Sequence, residues 1–196
     1  METGIIILAA GNSSRLGRPK QLLDYKGKSL LDIVIQAAVD SHCRPILVVL
    51  GAYATEIKEQ LQHAEIETII NENWKEGMGS SISLGLGTLL NRQEALEQVI
   101  IAVADQPFIS SQIFHDLIET QQKTNKAIVA SKYAQTIGTP VLFCKQYFEA
   151  LLSLKGNHGA KGIVEQHSED TTAISFESGQ IDIDTEQDYQ HLTSHT

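Results

Sequence analysis

Three short runs of almost uninterrupted apolar residues constrain this chain more than any other feature. They are Ile5 to Leu8, "PILVVLG" from Pro45, and "VIIAVAD" from Val99 to Asp105. A strand with one wet face alternates apolar and polar residues. A run with no polar face predicts a strand covered on both sides, as in a parallel sheet packed between helices. The intervening segments have helical spacing. "SLLDIVIQAAVDSH" opens on Ser29, placed to cap a helix, and "YATEIKEQLQ" from Tyr53 is amphipathic. "IETII" from Ile66 predicts a strand, followed by a helix from Gly79 to about Leu90. "SQIFHDLIETQQ" predicts a helix, "AIVAS" and "TPVLF" strands, and two short helices flank "KGNHGAKG". The tail "AISFESGQIDIDTEQDY" predicts a strand, a turn, a second strand and a last helix.

This alternation predicts a Rossmann-like, three-layer α/β/α fold with a mainly parallel sheet. No repeat, low-complexity tract or linker breaks the pattern, so residues 1–196 are expected to form one domain. Ligands of such sheets bind outside the carboxyl ends of the strands. That rule selects the loop after Leu8, the residues after Ala104 and the loop after Ile70.

A formal net charge of -9 argues against non-specific binding to nucleic acid or an anionic membrane, so neither is expected as a partner. It also sets apart the cluster Arg15, Arg18 and Lys20. Cys43 and Cys144 form no CxxC pair, which suits core thiols in a reducing cytoplasm. The run Ile5 to Ala10 is too short for a membrane helix and lacks the basic region of a signal peptide.

"LAAGNSSRLGRPKQLL", Leu8 to Leu23, is too long and too cationic for a plain turn. It fails the GxxxxGK pattern of a Walker loop, because five residues separate Gly11 from Gly17 and Arg18-Pro19 follow. It fails GxGxxG because Ser13 stands at the second glycine. The ingredients of anion binding remain. Gly11 permits close backbone approach, Ser13 and Ser14 carry hydroxyls, Arg15 offers a planar fork and Lys20 a mobile charge. A solvated loop with scattered charge is the alternative on composition alone.

The same stretch resembles the signature of MobA-like nucleotidyltransferases, and is most similar to their molybdenum cofactor cytidylyltransferase branch. The resemblance continues in order through "GMGSSISLGL" from Gly77, "ADQPFIS" from Ala104, "GTPVLF" from Gly138, "GNHGAKGIV" from Gly156 and "DIDTEQDY" from Asp182. It implies a nucleotide-diphospho-sugar transferase-like fold. It also implies transfer of CMP from CTP to the phosphate of a molybdopterin-type acceptor, with release of pyrophosphate. A molybdoenzyme or its maturation factor would then be a further partner.

Asp105 can be read as a cap for the next turn or as a magnesium ligand. The "ADQP" match favours Mg²⁺, which takes one or two carboxylates plus phosphate oxygens and water. On a strand, Asp182 and Asp184 would share a face opposite Ile181 and Ile183. Either could bind the metal or cap the last helix, and the resemblance favours Asp184. Leu8, Ala9, Ala10, Gly11, Ser80 and Ser81 would line the nucleotide pocket with Arg15, Lys20 and Asp105. The serines could equally be routine caps. Ala10, where the guanylyl branch tends to carry glycine, and "GMGSS" favour CTP over GTP. Trp74 could stack on a ring or pack in the core.

Thr139 and Asn157 stand where relatives often have histidine and aspartate, in the part expected to face the acceptor. They keep open an acceptor of another kind, a sugar phosphate or methylerythritol phosphate. A pterin carrier without chemistry is a further alternative. It is disfavoured because it has no need for Arg15, Lys20, Asp105 and Asp184 together.

Overall fold

The computed structural model describes residues 1–134 and 136–194. Nine strands and seven α-helices follow one another among the described residues. They are β1 (Glu2–Ala9), β2 (Asp24–Tyr25), β3 (Lys28–Ser29), α1 (Leu30–Asp40), β4 (Ile46–Leu50), α2 (Ala54–Gln60), β5 (Glu67–Ile70) and α3 (Met78–Arg92). Then come β6 (Leu96–Val103), α4 (Ser111–Thr124), β7 (Ile128–Tyr133), β8 (Thr136–Cys144), α5 (Phe148–Leu152), α6 (Lys161–Gln166), β9 (Thr171–Ser175) and α7 (Glu186–Ser194).

Seven strands form one sheet in the order β5-β4-β1-β6-β8-β7-β9, and β2 and β3 form a separate hairpin. Every ladder in the large sheet is parallel except those made by β8, which runs against β6 and β7. The apolar runs are explained by what lies on each side. Ile5, Ile7 and Ala9 face a layer containing Leu31 and Val34 of α1, Ile57 of α2 and Phe114 of α4. Ile6 and Leu8 face the opposite layer, with Ile82 and Leu86 of α3, Leu151 of α5 and Ile163 of α6. Alternate residues of β1 therefore enter different cores, so neither face can be polar.

α1 begins as its sequence requires. Ser29 Oγ accepts from the Asp32 amide at 3.0 Å and donates to the Asp32 carboxylate at 2.7 Å. An N-cap of this kind stabilises a helix by about 1 kcal/mol.

Two expectations change. β6 stops at Val103, where its ladder with β1 ends at the pair Leu8–Val103, so Asp105 lies in the following turn instead of on the strand. The segment 181–184 is not a strand, because no neighbour pairs with it. Ile183 is buried with Leu23, Leu30 and Leu192, whereas Ile181 is exposed. The alternation Ile-Asp-Ile-Asp that suggested a strand reflects one anchoring side chain.

The sheet order places the site. From β1 the chain builds outward through β4 to the β5 edge, then returns to the other side of β1 with β6. The connections leave the carboxyl ends of β1 and β6 in opposite directions, and a crevice opens there.

Candidate active site

The crevice is a cleft of about 460 Å³ whose walls come from four loops. Leu8 comes from the end of β1 and Ala10, Gly11, Lys20 and Gln21 from the segment after it, and Val103 comes from the end of β6 with Ala104 and Asp105 just beyond. Trp74, Gly77, Met78 and Ser81 form the opposite wall, with Asn157 at its edge. Beside it, Gly11, Asn12, Ser13, Ser14, Arg15, Lys20 and Asp184 surround a smaller hollow of about 220 Å³.

The first loop is held by its own side chains. Gln21, buried, donates to the carbonyls of Ala9 and Gly11 at 3.0 and 3.1 Å. Ser13, at a left-handed φ of 46°, accepts the Lys20 amide on its hydroxyl at 3.1 Å. Tyr53 donates from α2's approach to the Asn12 carbonyl at 2.8 Å. A Cβ built at Gly11 would meet nothing within 4 Å, so the backbone there faces open space that a ligand can approach closely.

Where these loops meet, Lys20 Nζ lies 2.5 Å from Asp105 Oδ2 and 2.8 Å from Asp184 Oδ1. Arg15 joins from outside, 3.1 Å from Asp184 Oδ2. Burial by itself would lower the pKa of Lys20. The charges and hydrogen bonds of Asp105 and Asp184 together outweigh it, so the ammonium is held protonated above its ordinary range. Asp184 is positioned by the start of α7. Asp188 accepts from the amides of Asp184 and Thr185 and from the Thr185 hydroxyl, while Thr185 accepts from the Asp188 amide. This reciprocal cap is made by Thr185 and Asp188, not by Asp182 or Asp184.

The donor set suits a hard divalent cation. Asp105 Oδ1 is buried and has no hydrogen-bond partner, an arrangement that costs free energy unless something supplies positive charge. Among the described residues no cluster of three or more His, Cys, Asp and Glu side chains has the makings of a metal site. Two carboxylates leave the remaining positions to ligand oxygens and water, which is how Mg²⁺ is ordinarily held against phosphates.

The opposite wall is set by glycine and amide contacts. Gly77, φ 107°, caps α3, and a Cβ there would lie 2.5 Å from the Gly156 carbonyl. Asn71, at the end of β5, is buried and donates to the hydroxyls of Ser80 and Ser81, 2.9 Å each. Ser80 also donates to the Gly77 carbonyl, so its hydroxyl serves the helix start, whereas Ser81 lines the cleft. Ala9, expected in the pocket lining, is buried in the core, and its carbonyl is taken by Gln21.

Asn157 lines the same cleft as Gly11 and Lys20. The reason is local: the Gly79 amide donates to Gly156 at 3.0 Å and fastens the 156–159 loop to the start of α3. Thr139 lies elsewhere, its carbonyl accepting from Gln106. Trp74 belongs to the wall, with Lys75 Nζ 5.5 Å from its ring centroid. Gln21, Tyr53 and Asn71 carry no sequence signal, because each acts through a partner on another turn or loop that only the folded chain brings within reach.

The family model for the MobA-like NTP transferase domain matches residues 5–171. Nicotine blue oxidoreductase of Paenarthrobacter nicotinovorans is 32% identical over 106 residues, covering 54% of this chain and 50% of that protein. The chain's match thus spans half the length of that relative. Purine catabolism protein PucB of Bacillus subtilis is 25% identical over 205 residues, covering 94% of this chain and 92% of its own. Among solved structures, Rv0371c of Mycobacterium tuberculosis superimposes with a TM-score of 0.84 at 24% identity, covering 98% of each chain. A manganese complex of the same protein gives 0.83 at 21% identity and covers all of both chains.

Proposed function

The chain belongs to the MobA-like NTP transferase domain family and is a nucleotidyltransferase, and from that premise we propose that it transfers CMP from CTP to the phosphate of a molybdopterin-type acceptor in the cytoplasm. The observation that carries the reading is the meeting of Lys20, Asp105 and Asp184 beside a cleft whose floor is the loop after β1. A triphosphate cannot lie against two carboxylates unless cations stand between them, and this site has both a metal-suited acid pair and two basic side chains.

In this reading the cleft between Ala10 and Ser81 takes the nucleoside. Arg15 and Lys20, around the smaller hollow, take the β- and γ-phosphates. Mg²⁺ held by Asp105 and Asp184 would supply charge neutralisation and polarisation of a phosphate oxygen. The acceptor's phosphate oxygen forms a bond to the α-phosphorus in line with the bond to the β-phosphate, which breaks and leaves as pyrophosphate. Lys20 and Arg15 stabilise the charge that grows on the departing group. The acceptor phosphate is largely ionised near neutral pH, so neither a general base nor a covalent enzyme intermediate is required. Positioning and electrostatics carry the reaction.

The test is pyrophosphate release with Mg²⁺, crossing CTP, GTP, ATP and UTP with molybdopterin and several sugar phosphates. The expected result is the highest kcat/KM for CTP with molybdopterin. A higher value for GTP, for a sugar phosphate or for methylerythritol phosphate would replace this assignment. Pterin binding with no pyrophosphate release from any pair would make the chain a carrier.

A further inference from the structure

Two neighbours in sequence each bury a side-chain oxygen that has no hydrogen-bond partner among the described residues, Asp105 Oδ1 and Gln106 Oε1. The nucleotide reading gives the first to a metal and leaves the second unexplained. Gln106 is 2% exposed, and it lines neither the cleft nor the smaller hollow beside it. Burying an amide with its acceptor empty costs free energy, so the work of its donor end must offset that cost.

Both hydrogens of Nε2 are committed. One bond goes to the Thr139 carbonyl at 2.9 Å, the other to the Gly179 carbonyl at 3.1 Å. β6 does not reach Thr139. Its ladder with β8 runs as far as Ile101–Val141; the same register carried on would set Val103 opposite Thr139, but the pairing has already ended. Gly179 belongs to the short turn Glu177–Gln180, which lies outside the sheet. One side chain thus joins the turn after β6, the early part of β8 and the turn that runs into the 181–184 segment.

These segments carry the acid pair. Asp105 stands between two tethers, the Ala104 amide bonded to the Leu8 carbonyl at 3.2 Å and the side chain of Gln106. The Glu177–Gln180 turn is itself tightly seated. The Phe176 amide donates to the Lys132 carbonyl at 2.9 Å, and a Cβ at Gly179 would lie 2.5 Å from the Phe176 ring and 2.8 Å from the Tyr133 ring. From that turn the chain reaches Asp184 through Ile183, which is buried. Lys20 also bridges the acids directly. That bridge is lost when Lys20 turns to a phosphate, and the two carboxylates then repel one another. The bonds of Gln106 do not involve Lys20.

We propose that Gln106 is a positioning residue for the two carboxylates: it holds the span between Asp105 and Asp184 when Lys20 no longer bridges them, and so sets which divalent cation the pair accepts. The assignment rests on the nucleotidyl-transfer reading of the site and deepens it by adding a residue that acts through the backbone of both acid-bearing segments. A fixed span favours Mg²⁺, which demands near-ideal octahedral geometry. Ca²⁺, with longer bonds and irregular coordination, tolerates a loose pair.

The test reads metal binding instead of turnover, in a Lys20→Ala background where the bridge is absent. Mn²⁺ is titrated without nucleotide by electron paramagnetic resonance, and Mg²⁺ and Ca²⁺ are then used to displace it. Gln106→Met keeps the length of the side chain and removes both donors. Adding it should weaken Mn²⁺ and Mg²⁺ binding by about tenfold, the scale of losing a partner that orients metal ligands. Ca²⁺ binding should change by less than about threefold, so that the preference for Mg²⁺ falls. Thermal melts establish folding; where Gln106→Met does not fold, Gln106→Asn, one methylene shorter, is read with the same expectation. A role in stability alone would lower the melting temperature and leave the ratio of Mg²⁺ to Ca²⁺ affinity as it is in Lys20→Ala. An unchanged or raised ratio would overturn the proposal, as would the absence of Mn²⁺ binding to Lys20→Ala. The two readings fail separately. A shifted metal preference without pyrophosphate release from any nucleotide keeps the role of Gln106 and removes the transfer. Pyrophosphate release by wild type, with metal preference unmoved by Gln106→Met, keeps the transfer and removes the role.

Discussion

Lys20 Nζ stands 2.5 Å from Asp105 Oδ2 and bridges to Asp184 Oδ1 at 2.8 Å, so one ammonium holds together acids lying 85 and 164 residues further along the chain. Three loops are closed onto one another by a single cation. The same cation competes for the carboxylates with any metal that binds them.

Removing that ammonium should therefore separate two quantities. In Lys20→Ala, turnover measured as pyrophosphate release should fall by at least about a hundredfold, the scale of losing one stabilising group at a reacting centre. Mn²⁺ affinity without nucleotide should rise, because the positive charge resisting it is gone. Asp105→Ala should lose turnover on a similar scale and lose metal affinity too. Near-wild-type turnover in both variants would remove the site from consideration.

Gly77 tests the other wall. Its φ of 107° is costly for any residue with a Cβ, and that Cβ would press on the Gly156 carbonyl. Gly77→Ala should cost about 1–3 kcal/mol of stability. Urea unfolding should show a lower midpoint with an unchanged slope, and the KM for the nucleotide should rise as the 156–159 loop shifts. An unchanged midpoint would contradict this description of the loop contact.

Asp188 acts through Asp184. Its carboxylate accepts the Thr185 hydroxyl and amide, capping α7, and the Asp184 amide at 3.2 Å, and the Thr185 bonds above all hold its pKa below the usual carboxylate range. Asp188→Ala should cost about 1 kcal/mol of stability, as cap losses do. Its signature in activity should be a raised metal concentration for half-activation, with kcat largely recovered at saturating metal. A loss of kcat that metal does not restore would mean Asp188 is not acting by positioning Asp184.

Asp170 supplies a test of pH dependence outside the site. It accepts the Ala127 amide at 3.0 Å, and the Tyr147 hydroxyl and Gln146 amide at 2.9 Å each. The Ala127 bond is the main reason its carboxyl titrates below the ordinary range. A depressed carboxyl stabilises the fold above the unfolded-chain value near about 4, and that contribution fades as the pH falls through the lower folded value. Melting temperatures of wild type and Asp170→Asn should differ at neutral pH, with wild type higher, and converge in acid. A constant gap down to pH 3 would assign the difference to something other than this ionisation.

Much of this was legible in the residues because the signals were local. The double-sided apolar runs report burial on both faces, and alternation with helical spacing reports parallel crossovers; both depend only on near neighbours. Ser29 announced the start of α1 for the same reason. The glycines, serines and basic residues after Leu8 mark a loop that is no plain turn, and that loop lines both hollows at the sheet's edge. What residues alone could not supply was distance between segments far apart in sequence. Asp182 and Asp184 look equivalent in an alternating string. Burial of Ile183 against Leu23, Leu30 and Leu192 seats the segment, the bond from the Asp184 amide to Asp188 at the start of α7 sets Asp184 against Lys20, and Asp182 is left at a separate hollow. Asn157 was drawn into the first cleft by one backbone hydrogen bond to the start of α3, and Trp74 became a wall because the turn at Trp74–Glu76 sits over the β1 loop. Periodicity determined the layers, and packing between distant loops decided which polar groups share a site.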